Sequence, residues 1–581
     1  MTRPQQSRVC RGSVSVIRTT ADRLQSHTLR PIGGTAVGSS SVLAPRGLVT
    51  CPHALATSAG LRVLQAGGNA VEAAIAAAAT IAVVYPHMNG LGGDNIWLLY
   101  DARTHDVKAL LACGTAGREC TIDAYRARGH REAIPRRGPL GVNTVPGVVD
   151  GWAEAYRYSQ EYLGGRVPFA SLLEDAITYA EAGFPVTPSQ AAWTRARIGP
   201  DSGPFGRLER LDGWRRTFLR PDGSPYTPGA RFMQPALAGT LRAVAHGGRD
   251  AFYRGPIAER IGAALEEQGG LLRTADFAGF RSRWVEPLAI SYKEWSVYNT
   301  PPPTQGLTSL QILNIVEQFP LASWGDASAD YYHVMVEAAK LAFTDRDAWI
   351  ADPEYAPVPV ADLLAKARGR AHAAALALDR AQAVSPAPPA GSDTVYLAVV
   401  DADGNAVSLI QSVYFDFGSA VVVEGTGILL QNRGSAFSLD PASPNALASG
   451  KRPFHTLNPA MALRDGRPEL IFGTMGGEGQ PQTQAAVLTR VLDLDRDVQA
   501  AIDAPRWLYG RTWGEPTSAL SVEARVPPGV VDELKRRGHD VRVVGAWDDR
   551  MGHAQAIRID PRTGVRSGGA DPRGDGLAAG Y

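Results

Sequence analysis

Gly391-Ser392-Asp393-Thr394-Val395-Tyr396-Leu397-Ala398-Val399-Val400-Asp401-Ala402-Asp403-Gly404-Asn405-Ala406-Val407-Ser408-Leu409-Ile410-Gln411-Ser412 is the stretch on which the reading of the fold turns. Two apolar, β-branched runs flank residues 401–405, the pattern of a β-hairpin. A three-residue loop, Ala402-Asp403-Gly404, puts Gly404 where positive φ is needed and glycine costs least. Asp401 then faces Asn405, and the same register sets Thr394 opposite Ser412. Two hydroxyls meet at the open end of the hairpin.

Residues 381–393, just upstream, are rich in Pro, Ala, Gly and Ser and unsuited to helix or central strand. A flexible run that stops at a threonine opening an apolar strand suggests a processing point between Asp393 and Thr394. Cleavage there would give Thr394 a free α-amine, of pKa roughly 7.7–8, able to act as general base for its own hydroxyl. The plain alternative is an ordinary strand residue after a loop. Locally, both readings stand.

Working outward, 581 residues suggest more than one domain-sized unit. Lys+Arg 59 against Asp+Glu 58 leaves no electrostatic case for nucleic acid or an anionic membrane. Cys10, Cys51, Cys113 and Cys120 have neither metal-ligand spacing nor the number for a disulfide framework. The apolar run from Ala73 to Tyr85 is too short to span a bilayer. The first 44 residues read as a disordered tail without a secretory signal, and a cytoplasmic enzyme is the default.

Residues 54–65 have helical character and end at Ala66-Gly67-Gly68, a C-cap signature. Asn69 caps an alanine-rich helix from Ala70 to about Val84 that is apolar nearly all round and hence buried. Pro86-His87-Met88-Asn89-Gly90-Leu91-Gly92-Gly93-Asp94 then leads into a strand. Helix, glycines, strand is the wrong order for a dinucleotide fingerprint, so a tight turn is expected. Further helices are expected at 148–161, 169–182, 235–268 (interrupted near Gly247-Gly248), 307–317 and 331–347, with 197–229 a long surface stretch. The first two-thirds reads as mostly helical and the part after Thr394 as strand-rich.

Thr474-Met475-Gly476-Gly477-Glu478-Gly479-Gln480 follows an apolar strand. A Gly-Gly pair opening a helix exposes backbone N–H groups suited to an oxyanion, or is a plain strand-to-helix turn. Arg433, Arg452, His455 and Thr456 are candidate substrate contacts, because a guanidinium fork matches a carboxylate; solvated cations are the bland reading. No Gly-x-Ser-x-Gly elbow stands after a strand.

These residues resemble the γ-glutamyltransferase family of N-terminal nucleophile (Ntn) hydrolases over most of the chain. The resemblance is carried by Gly67-Gly68-Asn69-Ala70-Val71-Glu72-Ala73-Ala74, Pro86-His87-Met88-Asn89-Gly90-Leu91-Gly92-Gly93, Val145-Pro146-Gly147, Ala182-Gly183-Phe184-Pro185-Val186, Pro301-Pro302-Pro303 and Val400-Asp401-Ala402-Asp403-Gly404-Asn405-Ala406-Val407. It implies an α+β, four-layer αββα sandwich and self-cleavage into a large subunit (45–393) and a small subunit (394–581). It also implies Thr394 as nucleophile, Ser412 as second hydroxyl, and Gly476 and Gly477 as oxyanion pair. The chain departs from the family where a glutamyl group is held. The arginine for its α-carboxylate falls near residues 111–115, which hold none. The acid for its α-amine falls at Ala436, an asparagine at Tyr414, and a serine pair at His455-Thr456. The loop 437–450 is too short for a transferase lid. Unpaired charges on a bound α-amino acid are costly, so the resemblance is to the lidless branch that includes cephalosporin acylase-like and oxamate amidohydrolase-type enzymes.

The expected activity is hydrolysis of a small amide whose acyl group carries a carboxylate, through an acyl-enzyme and without metal or organic cofactor. Arg433, Arg452, His455, Thr456 and Tyr414 would line the pocket. The alternatives are a γ-glutamyl transferase or hydrolase, a glutaryl-type acylase, and an uncleaved binding protein. The expected partners are a small-molecule amide and the two subunits for each other, with a dimer of that pair as a further step.

Overall fold

In the computed structural model, which describes residues 40–203, 206–383, 393–510 and 517–581, the hairpin forms as its alternation dictates. Asp393–Val400 pairs antiparallel with Ala406–Tyr414, and Gly404 takes φ 91° in the connecting loop. Every pair from Val395↔Gln411 to Val400↔Ala406 keeps the expected register. Between Asp393 and Val395 the ladder shifts by one residue, so that Asp393 faces Tyr414. Such a bulge leaves one residue unpaired and re-aims its neighbours.

The period of two then sorts the strand between two cores. Val395, Leu397 and Val399 join a core with the fully buried helix Ala70–Val84, while Tyr396, Ala398 and Val400 join a core between two sheets. One seven-stranded sheet runs in the order Leu577–Gly580, Leu48–Cys51, Asp393–Val400, Ala406–Tyr414, Asp94–Asp101, Asp106–Ala112, Arg283–Val285. The other runs Val42–Ala44, Arg566–Ala570, Ala554–Ile559, Arg467–Thr474, Ala460–Arg464, Trp295–Asn299, Leu288–Tyr292. Beyond this second sheet a third core holds the helices Gly306–Val316, Ala329–Trp349 and Gly479–Leu492. Helices, sheet, sheet and helices make the four expected layers. The sheets touch closely enough that a Cβ on Gly473 would collide with the Tyr396 ring, which ties the end of Arg467–Thr474 to the start of the Thr394 strand.

Several expectations need correction. Val42–Ala44 is an edge strand paired with Arg566–Ala570, so the tail expected to reach 44 does not extend over it; residues 1–39 lie outside the described residues. Residues 197–229 are more than surface. They include the helix Asp212–Phe218, whose Trp214 and Phe218 are buried against Phe417. Phe169–Leu172 and Glu174–Ala182 are separate helices. The expected flexible segment starts too early: Ala381 N–H donates to Arg537 O at 2.6 Å and Gln382 N–H to Glu337 Oε2 at 3.0 Å, while 384–392 are outside the described residues. The part before Thr394 is mostly helical and the part after it strand-rich, as expected, and the two share their sheets. Both sheets contain strands from before Thr394 and from after it.

Candidate active site

Thr394 and Ser412 are 1% exposed, and the Thr394 hydroxyl donates to Ser412 Oγ at 3.2 Å. Ser412 Oγ also accepts the Tyr414 N–H at 2.8 Å. The serine is held from its own strand and presents an acceptor to the threonine, which orients the threonine's lone pairs away from it. The turn before Asp94 presses on the same strand. A Cβ at Gly93 would meet Ser412 O and one at Gly92 would meet Leu429 O. The glycines make the expected tight turn, Gly93 N–H donating to Gly90 O at 3.1 Å, and also permit this close backbone approach.

Gly476 and Gly477 have φ 122° and 51°, in the region that favours glycine. Gly476 O accepts Gly479 N–H at 2.7 Å, and Gly477 O accepts Gln305 Nε2 at 2.7 Å and Gln480 N–H. A trans peptide points its N–H opposite its C=O. The Gly477 N–H therefore faces away from the helix Gly479–Leu492.

A second cluster surrounds Arg433, which is 1% exposed. Its Nη1 donates to Thr456 Oγ1 at 2.9 Å and its guanidinium lies 3.8 Å from the centre of the Tyr414 ring. Nε and Nη2 have no hydrogen-bond partner. Burial pushes Arg433 down to about 10, opposed by the nearby Tyr414 and Asp94. Asp94 is paired with Ser412 in the sheet. Its Oδ1 accepts Gly114 N–H, Gly147 N–H and Gln431 Nε2 at 3.1, 3.0 and 3.0 Å. Burial nonetheless pushes its carboxyl up to about 7, against the pull of Arg433 and these donors. His455 receives the Leu457 N–H on Nδ1, so its proton sits on Nε2 and faces Asp94 Oδ2 at 3.2 Å. Burial and then Arg433 hold His455 well below its ordinary value, so it is neutral.

The structure therefore brings together Thr394, Ser412, Tyr414, Arg433 and Thr456, with His455 one step back through Asp94. It does not bring in Arg452. That guanidinium is 3.4 Å from Asp352 and 3.6 Å from Glu354, with its own N–H also on Asp352, so its charge is already met. Sequence reading missed Asp94, Gln431 and Gln305, although Asp94 ends the glycine turn and each is a polar residue beside a motif. Among the described residues, His333, Glu337 and His539 set ligand-type atoms within 4.8 Å of one another. Lys340 Nζ lies 2.7 Å from Glu337 Oε1, and the two imidazoles hydrogen-bond each other at 2.8 Å. The Glu337 carboxylate is thus already paired with an ammonium.

A family profile described as Gamma-glutamyltranspeptidase matches residues 56–581. The chain belongs to this family. Two curated relatives are each 46% identical over 93% of this chain and the whole of their own length: the Glutathione hydrolase-like YwrD proenzyme of Bacillus subtilis and the Oxamate amidohydrolase proenzyme of Klebsiella pneumoniae. The crystal structure of cephalosporin acylase from Bacillus halodurans aligns with a TM-score of 0.85 at 38% identity, covering 96% of this chain and 99% of that one. The α+β, Ntn-hydrolase-type fold is thereby shown, and this member of the family is an amide-hydrolysing enzyme. No helix among the described residues is long and apolar enough to cross a membrane.

Proposed function

We propose that this chain is a proenzyme that cleaves itself between Asp393 and Thr394, and that the mature Thr394 hydrolyses amides of a small acyl group bearing a carboxylate. The observation that carries the substrate class is Arg433: buried, charged, holding two N–H-bearing nitrogens without an acceptor, and stacked on Tyr414, whose N–H is held by Ser412. A buried donor without a partner is costly, and a bound carboxylate would relieve it with the bidentate fit that guanidinium favours.

In maturation the Thr394 hydroxyl adds to the Asp393 carbonyl, the C–N bond breaks to leave an ester on Oγ1 and a free α-amine, and water hydrolyses the ester. The same hydroxyl then attacks the substrate amide with the α-amine taking its proton. The Gly476-Gly477 turn would face the developing oxyanion, where one lost donor typically costs roughly 2.7–4 kcal/mol. The α-amine passes its proton to the departing amine, and water releases the acid. The two subunits so formed remain joined through the shared sheets. That relatives sharing 46% identity are named proenzymes supports the cleavage, and the oxamate amidohydrolase name supports a short acyl acid.

The test is steady-state hydrolysis by the processed enzyme of oxamate, its neutral diamide, a glutaryl amide and glutathione. A kcat/KM preference of roughly tenfold to a hundredfold for acid over neutral analogue is expected from one charged hydrogen-bonded contact of about 1.5–3 kcal/mol. Equal rates on acid and diamide would refute the anionic subsite, and a preference for glutathione would return the pocket to γ-glutamyl compounds.

A further inference from the structure

Tyr414 is held in a conformation that tyrosine avoids. Its φ is 81°, in the left-handed region that a bulky side chain enters only when its surroundings insist. Here they do: its N–H is fastened to Ser412 Oγ, and the next N–H, of Phe415, donates to Asn432 Oδ1 at 3.1 Å. One face of the ring covers Arg433. The tyrosine also lines a cavity of about 290 Å³ in which neither Thr394, Ser412 nor Arg433 takes part, but Arg346, Glu478, Ala436 and Phe454 do. Arg346 is 3% exposed, with Nε on Asp347 at 2.7 Å, Nη2 4.0 Å from Glu478 and Nη1 without a hydrogen-bond partner. Tyr414 thus borders two spaces: its ring covers Arg433, and it lines the cavity that Arg346 also lines.

We propose that Tyr414 is a specificity-determining wall: it closes the Arg433 subsite against the outer cavity and so limits the acyl group to a short carboxylic acid. Without the wall, a longer dicarboxylic acyl chain would pass into the outer cavity, where its carboxylate would meet Arg346 Nη1, the nitrogen that Asp347 and Glu478 leave without an acceptor. The inference rests on the carboxylate-bearing substrate class proposed above and names what limits it. Glycine is the apt replacement, because it accepts the φ that tyrosine resists and removes the ring. Asparagine, which also tolerates this region, is a second variant should the glycine enzyme misfold.

The experiment measures kcat and KM for oxamate, succinamate and glutaramate with processed wild type, Tyr414→Gly and Tyr414→Asn. Self-cleavage on a gel is the independent readout of an intact Thr394 site. In wild type, oxamate should exceed glutaramate at least tenfold in kcat/KM. Tyr414→Gly should still process, and should gain at least tenfold on glutaramate, chiefly through KM. Adding Arg346→Gln to Tyr414→Gly should raise the glutaramate KM again. A processed, oxamate-active Tyr414→Gly enzyme with no gain on longer amides would overturn the wall while leaving the proposed function standing. So would a wild type indifferent to chain length. A processed wild type inactive on every amide acid would instead overturn the reading beneath it.

Discussion

Arg433 and Arg452 come from neighbouring loops of the same part of the chain and are almost equally buried, 1% and 5% exposed. They differ in what meets the charge. Arg452 faces Asp352 and Glu354, whereas Arg433 faces a tyrosine ring and a threonine hydroxyl. Arg452 is already answered by its two carboxylates. Arg433, beside a ring and a hydroxyl, keeps donors for something that has yet to arrive. Burial and charge alone therefore do not mark a binding residue; the unanswered donor does.

The hairpin end offers the sharpest way to separate chemistry from this recognition. Thr394→Ala should abolish self-cleavage and all amide hydrolysis, leaving one chain on a denaturing gel. The smaller fragment of wild type should begin Thr-Val-Tyr-Leu on N-terminal sequencing. Any other start would move the nucleophile and detach Arg433 from it.

Arg452→Ala should act on the fold. It leaves Asp352 buried without its partner, a change that typically costs about 3–5 kcal/mol. A large fall in melting temperature with KM little changed for the folded fraction is expected. A raised KM at unchanged stability would put Arg452 back among the substrate contacts and erase the contrast.

Arg433→Ala should do the reverse. The loss of one charged contact of about 1.5–3 kcal/mol raises KM for acid substrates roughly tenfold to a hundredfold while kcat moves little, because the carboxylate is held alike in ground and transition states. The neutral diamide should not notice.

Ser412→Ala removes the hydroxyl that accepts from Thr394. Processing or turnover should slow by roughly tenfold, about 1.4 kcal/mol, in a protein that stays folded. Wild-type rates would mean that the pair is only structural.

The smallest effect is on pH. Asp94, pushed up to about 7 from an ordinary 3.8, gains a proton as pH falls from 8 to 6. The negative charge that offsets Arg433 then disappears, so KM for an acid substrate should fall severalfold while that of the diamide stays level. Asp94→Asn should remove the dependence. Because the folded value lies above the unfolded one, the same group adds stability in acid that is lost as pH rises through about 7.

Much of this molecule is legible along the chain. Asn69 and Glu72 mark the start of the Ala70–Val84 helix, where both halves of a capping box form. Gly404 fixes the hairpin loop, and the alternation from Val395 to Val400 assigns each side chain to its core. These are local rules, in which a residue's neighbours in sequence are its neighbours in space. The pocket obeys none of them. Asp94 meets Gly114, Gly147, Gln431 and His455, partners separated from it by up to several hundred residues. Asp352 answers Arg452 from a hundred residues upstream, and no spacing announces that pairing.

What the sequence determined by itself was the hairpin, its register up to Val395 and the hydroxyl facing hydroxyl, since period-two burial and a glycine turn leave little choice. The tertiary structure alone decided the one-residue shift that turns Tyr414 into the left-handed region, and which of two buried arginines stays short of acceptors. The physical reason is that the energy of a buried charge depends on what every surrounding element brings within a few ångströms of it, and that is settled only when the two sheets close on each other.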